Sequence, residues 1–431
     1  MRMDEGRLMD AVGVALRAAR VGDVTVSAGQ DSSLTTRMAD NIITQNVRQD
    51  GRWLSVTCAF GKKHGSVSTS DLSRDAIRGA VRRAEEIARV TRPDPEHMPP
   101  LGRAEMRKYV PSTSDVPATL AATPGQVARD LARAAREVGK MKLRLSGAMS
   151  AGGSVWAIGN SAGLRACHRS TNAEVHMTAL GGDGSGWAQE TSHDIADVNA
   201  GRAAAEAARI AVLARHPKDL APGNYTVIMK PAAAAELLMF ALWPFDAKAA
   251  DEGHSYLRGK LGKKVFGSNF TVRSDHTDPR SPDSPFGGDG LARRPMHWVR
   301  NGVVENLVYS RFWAKKKRKA PTGWPPNHIV EGDGTSVDAM IASTEHGLLI
   351  TRFWYVRYID SMLPTATGMT RDGLFLIRNG RIAGPVRQMR FNVNTTEILN
   401  RIEATGTPER AWIVVPALKV RDFSFTSGTR F

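Results

Sequence analysis

Apolar positions recur at helical spacing in residues 5–20, where Leu8, Val12, Leu16 and Ala19 share one face. Residues 23–28 alternate apolar and polar, as a half-buried strand does, and residues 53–59 and 66–68 read as two further strands joined near Gly61. Asp71 or Ser73 can cap a helix running to about Val90, with Ile77, Val81, Ala84 and Ile87 inward. Residues 91–114 are rich in proline and lack a period, so they read as a crossing loop. Pro124 or Gly125 opens a helix with Val127, Leu131, Ala134 and Val138 on one face. From 142 to 180 the period changes to two. Glycine-containing turns are expected at residues 151–153, 160–163 and 181–184, giving an antiparallel meander. An alanine-rich helix follows at about 198–214.

Residues 216–223, His-Pro through Pro-Gly, mark the best boundary. Beyond it a strand is expected at 225–229, a helix near 232–242 and another near 395–401, with strands and turns elsewhere. The expected fold class is α+β: an N-terminal mixed α/β domain over residues 1–217 and a β-rich C-terminal domain over 218–431. No internal repeat is visible.

Composition narrows this picture. Of 431 residues, 42% are hydrophobic and 24% charged, which supports a packed core and argues against global disorder. No segment reaches the roughly 18 apolar residues of a membrane helix, and the N-terminal stretch 1–6 lacks an apolar signal core. The only cysteines are Cys58 and Cys167, which excludes a disulfide scaffold and fits a reducing cytoplasm. The formal net charge of +16 raises nucleic acid as a partner. The excess is mostly arginine spread along an alanine-rich chain, however. Its one dense run, Lys315, Lys316, Lys317, Arg318 and Lys319, leads into Ala320-Pro321-Thr322-Gly323 and reads as a solvated loop. A nucleic-acid patch is therefore the weaker reading.

Three motifs carry possible chemistry. Residues 159–163, Gly-Asn-Ser-Ala-Gly, match the G-x-S-x-G nucleophile elbow. That elbow needs a helix after the serine, and here a strand-like run follows, so a hairpin turn is expected. Residues 182–186, Gly-Asp-Gly-Ser-Gly, lack the Lys-Ser/Thr of a phosphate loop and read as a mobile hairpin tip beside Trp187. His254 near Asp251 and Glu252, and His276 between Asp275 and Asp278, combine metal-ligand residue types at spacings that match no known site.

The densest set of hydrogen-bonding groups lies between 345 and 392. Two strands, a turn around Gly373, a hairpin at Asn379-Gly380 and a helix start at Asn394 or Thr395 are expected there. Arg352, Trp354, Tyr355, Arg357, Arg371 and Asp372 are the candidate peptide-cleft residues. The strand 348–357 could also hold an extended peptide by main-chain pairing.

Together with Ser32-Ser33-Leu34-Thr35-Thr36-Arg37, residues 159–165, Asp183-Gly184-Ser185-Gly186-Trp187-Ala188 and Pro222-Gly223-Asn224-Tyr225, this stretch resembles the TldD/PmbA, or modulator-of-gyrase, family. The resemblance spans nearly the whole chain. It implies zinc metallopeptidases of the TldD type that work with a related non-catalytic TldE/PmbA-type subunit on small or unfolded peptides. It also implies H-E-x-x-x-H on a helix here matching residues 231–244, and a cysteine near the C-terminus. This chain departs from both. The histidine positions fall on Met239 and Pro244 and the glutamate on Phe240, and no cysteine lies between 405 and 416. A thioether, a pyrrolidine ring and a phenyl ring replace the ligands and the base. Glu236, the sole acid there, is read as closing the helix's exposed face.

The expectation is a TldE/PmbA-like, cytoplasmic subunit with no catalytic, metal or cofactor residues of its own. Its partner would be a zinc-bearing TldD-type paralogue, or a second copy in a homodimer, and its substrate a peptide. Whether the chain is an enzyme stays open. The alternatives are a peptidase with a metal site rebuilt around His254 and His276, and a basic nucleic-acid-binding protein.

Overall fold

The computed structural model describes residues 4–360 and 362–429; the first three residues of the N-terminal stretch lie outside them. Helix α1 (Glu5–Ala18) is capped by Asp4, whose carboxylate accepts from the Arg7 N–H. Strands β1 (Asp23–Ala39), β2 (Ile42–Phe60) and β3 (Lys63–Thr69) follow, then α2 (Arg74–Val90). A crossing segment carries the short α3 (Pro117–Ala121) to α4 (Pro124–Lys140), which opens with a capping box between Thr123 and Gln126. Strands β4 (Arg144–Asn160), β5 (Arg165–Gly181) and β6 (Gly184–Ser192) and helix α5 (Ala200–Leu213) complete this half.

The six strands form one antiparallel sheet in the order β3-β2-β1-β4-β5-β6. Its helices cover one face: α1 and α2 share a core with β1, β2 and β4, and α4 and α5 with β4, β5 and β6. Strand β5 shows the consequence. Ala173, Val175, Met177 and Ala179 are buried, while Glu174, His176 and Thr178 alternate away from that core.

Several elements are longer or differently placed than expected. The strand at 23–28 runs on to Ala39, and the one at 53–59 begins at Ile42. Residues 151–153 are not a turn. They sit inside β4, where a Cβ on Gly152 would lie 2.2 Å from the Ser32 carbonyl oxygen, so glycine permits close strand approach. Ile87 points outward, 42% exposed, and Ala80 and Ala88 pack inward instead.

The 182–186 segment holds the expected hairpin tip at Gly182-Asp183, and residues 184–186 already belong to β6. Gly182 makes the turn at φ +62, and Gly186 presses β6 onto α5, where a Cβ would come 2.1 Å from the Ala207 carbonyl oxygen. Gly186→Ala is accordingly expected to cost about 2–3 kcal/mol by overpacking, read as a lower urea midpoint. The turn at 159–163 is a hairpin as expected, with the Gly163 N–H donating to the Asn160 carbonyl.

The second half begins with β7 (Gly223–Met229), α6 (Pro231–Leu242) and α7 (Ala247–Glu252). Next come β8 (Val272–Ser274), β9 (Met296–Arg300), β10 (Val303–Val304), α8 (Arg311–Lys316), β11 (Ile329–Val330) and α9 (Val337–Ala342). Then follow β12 (His346–Asp360), β13 (Thr365–Arg378), β14 (Arg381–Pro385), β15 (Met389–Asn394) and α10 (Thr395–Asn400). The chain closes with β16 (Ile402–Thr405), β17 (Glu409–Arg410), β18 (Val414–Val415) and β19 (Leu418–Gly428). The class is α+β with a β-rich C-terminal region, as the sequence predicts.

Two strand systems build this half. One is the sheet β10-β9-β8-β11-β18-β17. The other closes on itself: β12 pairs with β7, β7 with β19, β19 with β15, β15 with β13, and β13 with β12. This ring removes its own edges. Phe353, Phe391 and Phe423 pack inside it, with ring centroids 4.7 and 5.7 Å from Phe353.

The hairpin at Asn379-Gly380 has φ of 50 and 73, as a type I′ turn requires, and Asn394 caps α10. The turn expected at Gly373 is absent. Asp372 (φ 55) and Gly373 (φ 122) form a bulge in a continuous β13. The two halves share a small core in which Ile210 of α5 and Ala214, its C-cap, meet Ile228, Met340, Leu349 and Phe375.

Candidate functional site

The polar face of β5 and β6 looks across a cleft at the bulged outer end of β12 and β13. The cleft is about 660 Å³ in volume. Glu174, His176, Trp187 and Gln189 line the sheet side; Arg352, Trp354, Tyr355, Arg357, Arg371 and Asp372 line the barrel side. All six residues singled out from the sequence therefore meet in one place. The bulges bring them there. Strand β12 shifts register against β13 between Ile350 and Arg352 and again between Trp354 and Arg357, with Tyr355 at φ 58. These interruptions turn neighbouring side chains toward the same space.

The side chains interleave. The Arg352 guanidinium lies 4.5 Å from the Trp187 ring centre and 4.9 Å from that of Trp354. Arg371 sits over the same Trp354 ring at 4.6 Å, and Arg357 over Tyr355 at 4.5 Å. Arg352 is 13% exposed and has Asp372, 5% exposed, 3.4 Å away; Arg371 approaches the same carboxylate at 3.8 Å. Burial lowers the Arg352 guanidinium below its ordinary pKa, opposed by Asp372 and Glu236.

Helix α6 supplies the floor. Ala232 and Glu236 line the cleft, and Met239, Phe240 and Trp243 continue that stripe at helical spacing. Glu236 does not close an exposed face, as the sequence suggested. It is half-buried in the cleft, and burial pushes its carboxyl up to about 7 despite nearby Arg352. Met239 and Phe240 pack against the C-terminal core. Phe240 stands edge-on to Tyr358 at 4.9 Å, and the Tyr358 hydroxyl donates to the Phe240 carbonyl. Leu237, Leu238 and Leu242 are buried, and Trp243 is 65% exposed.

Main-chain pairing of a peptide along 348–357 is restricted. Leu348–Ile350 already pair with β13 on one edge and β7 on the other. Only the segment beyond Ile350 leaves β7, where α6 begins.

Three residues of the other candidate sites are engaged elsewhere. Asp251 accepts from the Trp313 indole at 2.8 Å and pairs with Lys317 at 3.0 Å. His276 is fully buried with its Nε2 2.8 Å from the Val110 carbonyl oxygen, and Asp278 is held by Arg273 and Arg280. Those two arginines keep the Asp278 carboxyl well below the usual carboxylate range. Among the described residues no three His, Cys, Asp or Glu side chains gather as a metal site would.

The lysine run is exposed, but it is not all loop: Lys315 and Lys316 form the last turn of α8. Lys316 and Lys317 lie over the Trp313 ring and Lys319 over Tyr309. No helix among the described residues is long and apolar enough to cross a membrane.

Glu174, His176, Trp187, Gln189, Glu236 and Trp412 line the cleft but were missed as site residues. Alternation along 173–179 placed Glu174 and His176 on the polar face. Nothing local said what that face opposes.

A closed five-stranded barrel set against a long six-stranded sheet, with an arginine-tryptophan cleft between them, is a shared architecture. The crystal structure of TldE from Thermococcus kodakarensis superposes on it with a TM-score of 0.89 at 15% identity, covering 98% of this chain and 100% of that one. The PmbA/TldA metallopeptidase models match in order: domain 1 over residues 24–88, the central domain over 112–215 and the C-terminal domain over 222–427. The chain belongs to the PmbA/TldD metallopeptidase family. Metalloprotease PmbA of Escherichia coli O157:H7 is 23% identical over 425 residues, 93% of this chain and 91% of its own length. A protein of Methanocaldococcus jannaschii is 26% identical over 215 residues, 44% of this chain and 48% of its own length.

Proposed function

We propose that this chain is the non-catalytic, TldE/PmbA-like subunit of a cytoplasmic two-component zinc metallopeptidase. It pairs with a zinc-bearing TldD-type relative and shapes the cleft in which small or unfolded peptides are processed. The observation that carries the reading is the chemistry of α6. Its only ionisable side chain is Glu236. One turn further along the helix, Met239 and Phe240 offer a thioether and a phenyl ring, both partly buried and packed against the core. Zinc takes thiolate, imidazole or carboxylate ligands, usually three or four, so these residues do not fit it. The arginine-tryptophan array suits peptide carbonyls and carboxylates through charge-assisted hydrogen bonds.

The test is metal content and peptidase activity of the purified chain, alone and mixed with a zinc-motif relative from the same source. The expected result is no stoichiometric zinc and no cleavage alone, with cleavage in the mixture above that of the relative by itself. Zinc and activity in this chain alone would overturn the reading.

A further inference from the structure

Most ionisable groups that line the cleft have a neighbour of complementary type within 4 Å. Arg352 and Arg371 share Asp372, and His176 lies 3.7 Å from Glu174. Two charged groups lining the cleft have no ion-pair partner among the described residues: Glu236 on α6 and Arg357 on β12. They differ in depth. Glu236 is half-buried on the floor, and Arg357 is exposed at the rim, stacked on Tyr355. Glu236 makes no side-chain hydrogen bond among the described residues, so its carboxyl has unused capacity facing the cavity.

We propose that the cleft binds short peptides by both free ends, the α-ammonium on Glu236 and the α-carboxylate on Arg357. This rests on, and deepens, the reading of the chain as a peptide-cleft subunit. An ammonium with three donors suits an unpaired carboxylate in a desolvated setting, and a guanidinium fork suits a carboxylate. Burial supports the assignment, because a carboxyl held near neutrality gains most from an incoming cation.

Geometry sets the length. Glu236 lies beside Arg352, and Arg357 is five positions further along β12. That is at most roughly 16 Å of strand, shortened by the bulge before Arg357. An extended peptide of about three to five residues spans such a distance. Trp187, Trp354 and Trp412 also line the cleft, the first two already stacked against Arg352.

The experiment is titration calorimetry of the full chain with four peptides. These are tetra-alanine, its N-acetyl form, its C-amide, and an N-acetyl tetrapeptide containing one lysine. Acetylation is expected to weaken binding about tenfold or more and amidation several-fold, as loss of a charged hydrogen bond does. Glu236→Gln should abolish the discrimination against acetylation alone, and Arg357→Gln that against amidation alone. Affinity for the free peptide should rise from pH 6 to about pH 7.5 as Glu236 ionises and fall again above about pH 8 as the peptide's own α-ammonium loses its proton, and the rise should vanish in Glu236→Gln.

Equal binding of free and blocked peptides would overturn the proposal, as would no binding at millimolar peptide. If the lysine peptide bound as tightly as the free one, the ammonium would be a side chain and the end-recognition claim would fall. The failures are separable. Cleavage by the mixed pair without end discrimination here would sink only this inference, and end discrimination without cleavage only the subunit reading.

Discussion

Asp372→Asn is expected to destabilise the fold by about 2–3 kcal/mol. The carboxylate is 5% exposed and neutralises Arg352, which is 13% exposed. Removing one partner of a buried pair leaves the other charge without compensation, a loss of about 3–5 kcal/mol in well-formed cases. Two features reduce it here. The separation is 3.4 Å, and Arg352 keeps its contacts with the rings of Trp187 and Trp354. Asparagine is chosen because residue 372 has a φ of 55, which asparagine tolerates and alanine does not. Urea unfolding measures the loss. The double variant Arg352→Met/Asp372→Asn should recover most of it, since no uncompensated cation remains. A single-variant loss under about 0.5 kcal/mol would mean that the bulge, not the ion pair, holds this end of the cleft.

Glu236→Gln is expected to act in the opposite direction, and only at higher pH. Burial raises the carboxyl from 4.5 to about 7 in the folded chain. A raised acid pKa means that the folded state keeps a proton the unfolded state has lost. Stability therefore falls as pH rises from 4.5 to 7, and the loss is complete above 7. At about 1.4 kcal/mol per pKa unit the full effect is about 3.5 kcal/mol, and partial solvent access in the cleft reduces it to about 2. Glutamine does not titrate, so the variant should exceed the parent by about 2 kcal/mol at pH 8 and match it at pH 4. Thermal unfolding across that range is the measurement. A constant difference at all pH values would show that packing, and not ionisation, separates the two proteins. This outcome bears on the peptide-end inference as well, because a carboxyl that ionises without cost has less need of a cationic ligand.

The two variants probe residues that were not equally visible in the sequence. Asp372 stood out because it follows Arg371 in a run dense with arginine and aromatic groups. Its neighbour Gly373 suggested a turn, yet the chain continues as one strand. A bulge and a turn use the same left-handed residues, and only the partner strand distinguishes them. The same ambiguity misplaced a turn at residues 151–153, where glycine serves close strand packing. Glu236 was seen but assigned outward, because an isolated acid in an apolar helix usually faces water.

The sequence by itself determined much that depends on neighbours within a few turns of chain. Examples are the amphipathic helices α1, α2 and α4, the alanine-rich α5, the type I′ hairpin at Asn379-Gly380, the Asn394 cap, the α+β class and the lack of histidine and cysteine in α6. Each follows from local periodicity, capping or residue type. Only the tertiary structure decided that the barrel closes from β12 through β13. It also decided that Glu174 and Trp187 face Arg352 from more than 160 residues away, and that Glu236 sits on the cleft floor. Those facts depend on which surfaces meet across long loops. Hydrophobic pattern states that a face is buried or polar, but not what lies opposite it.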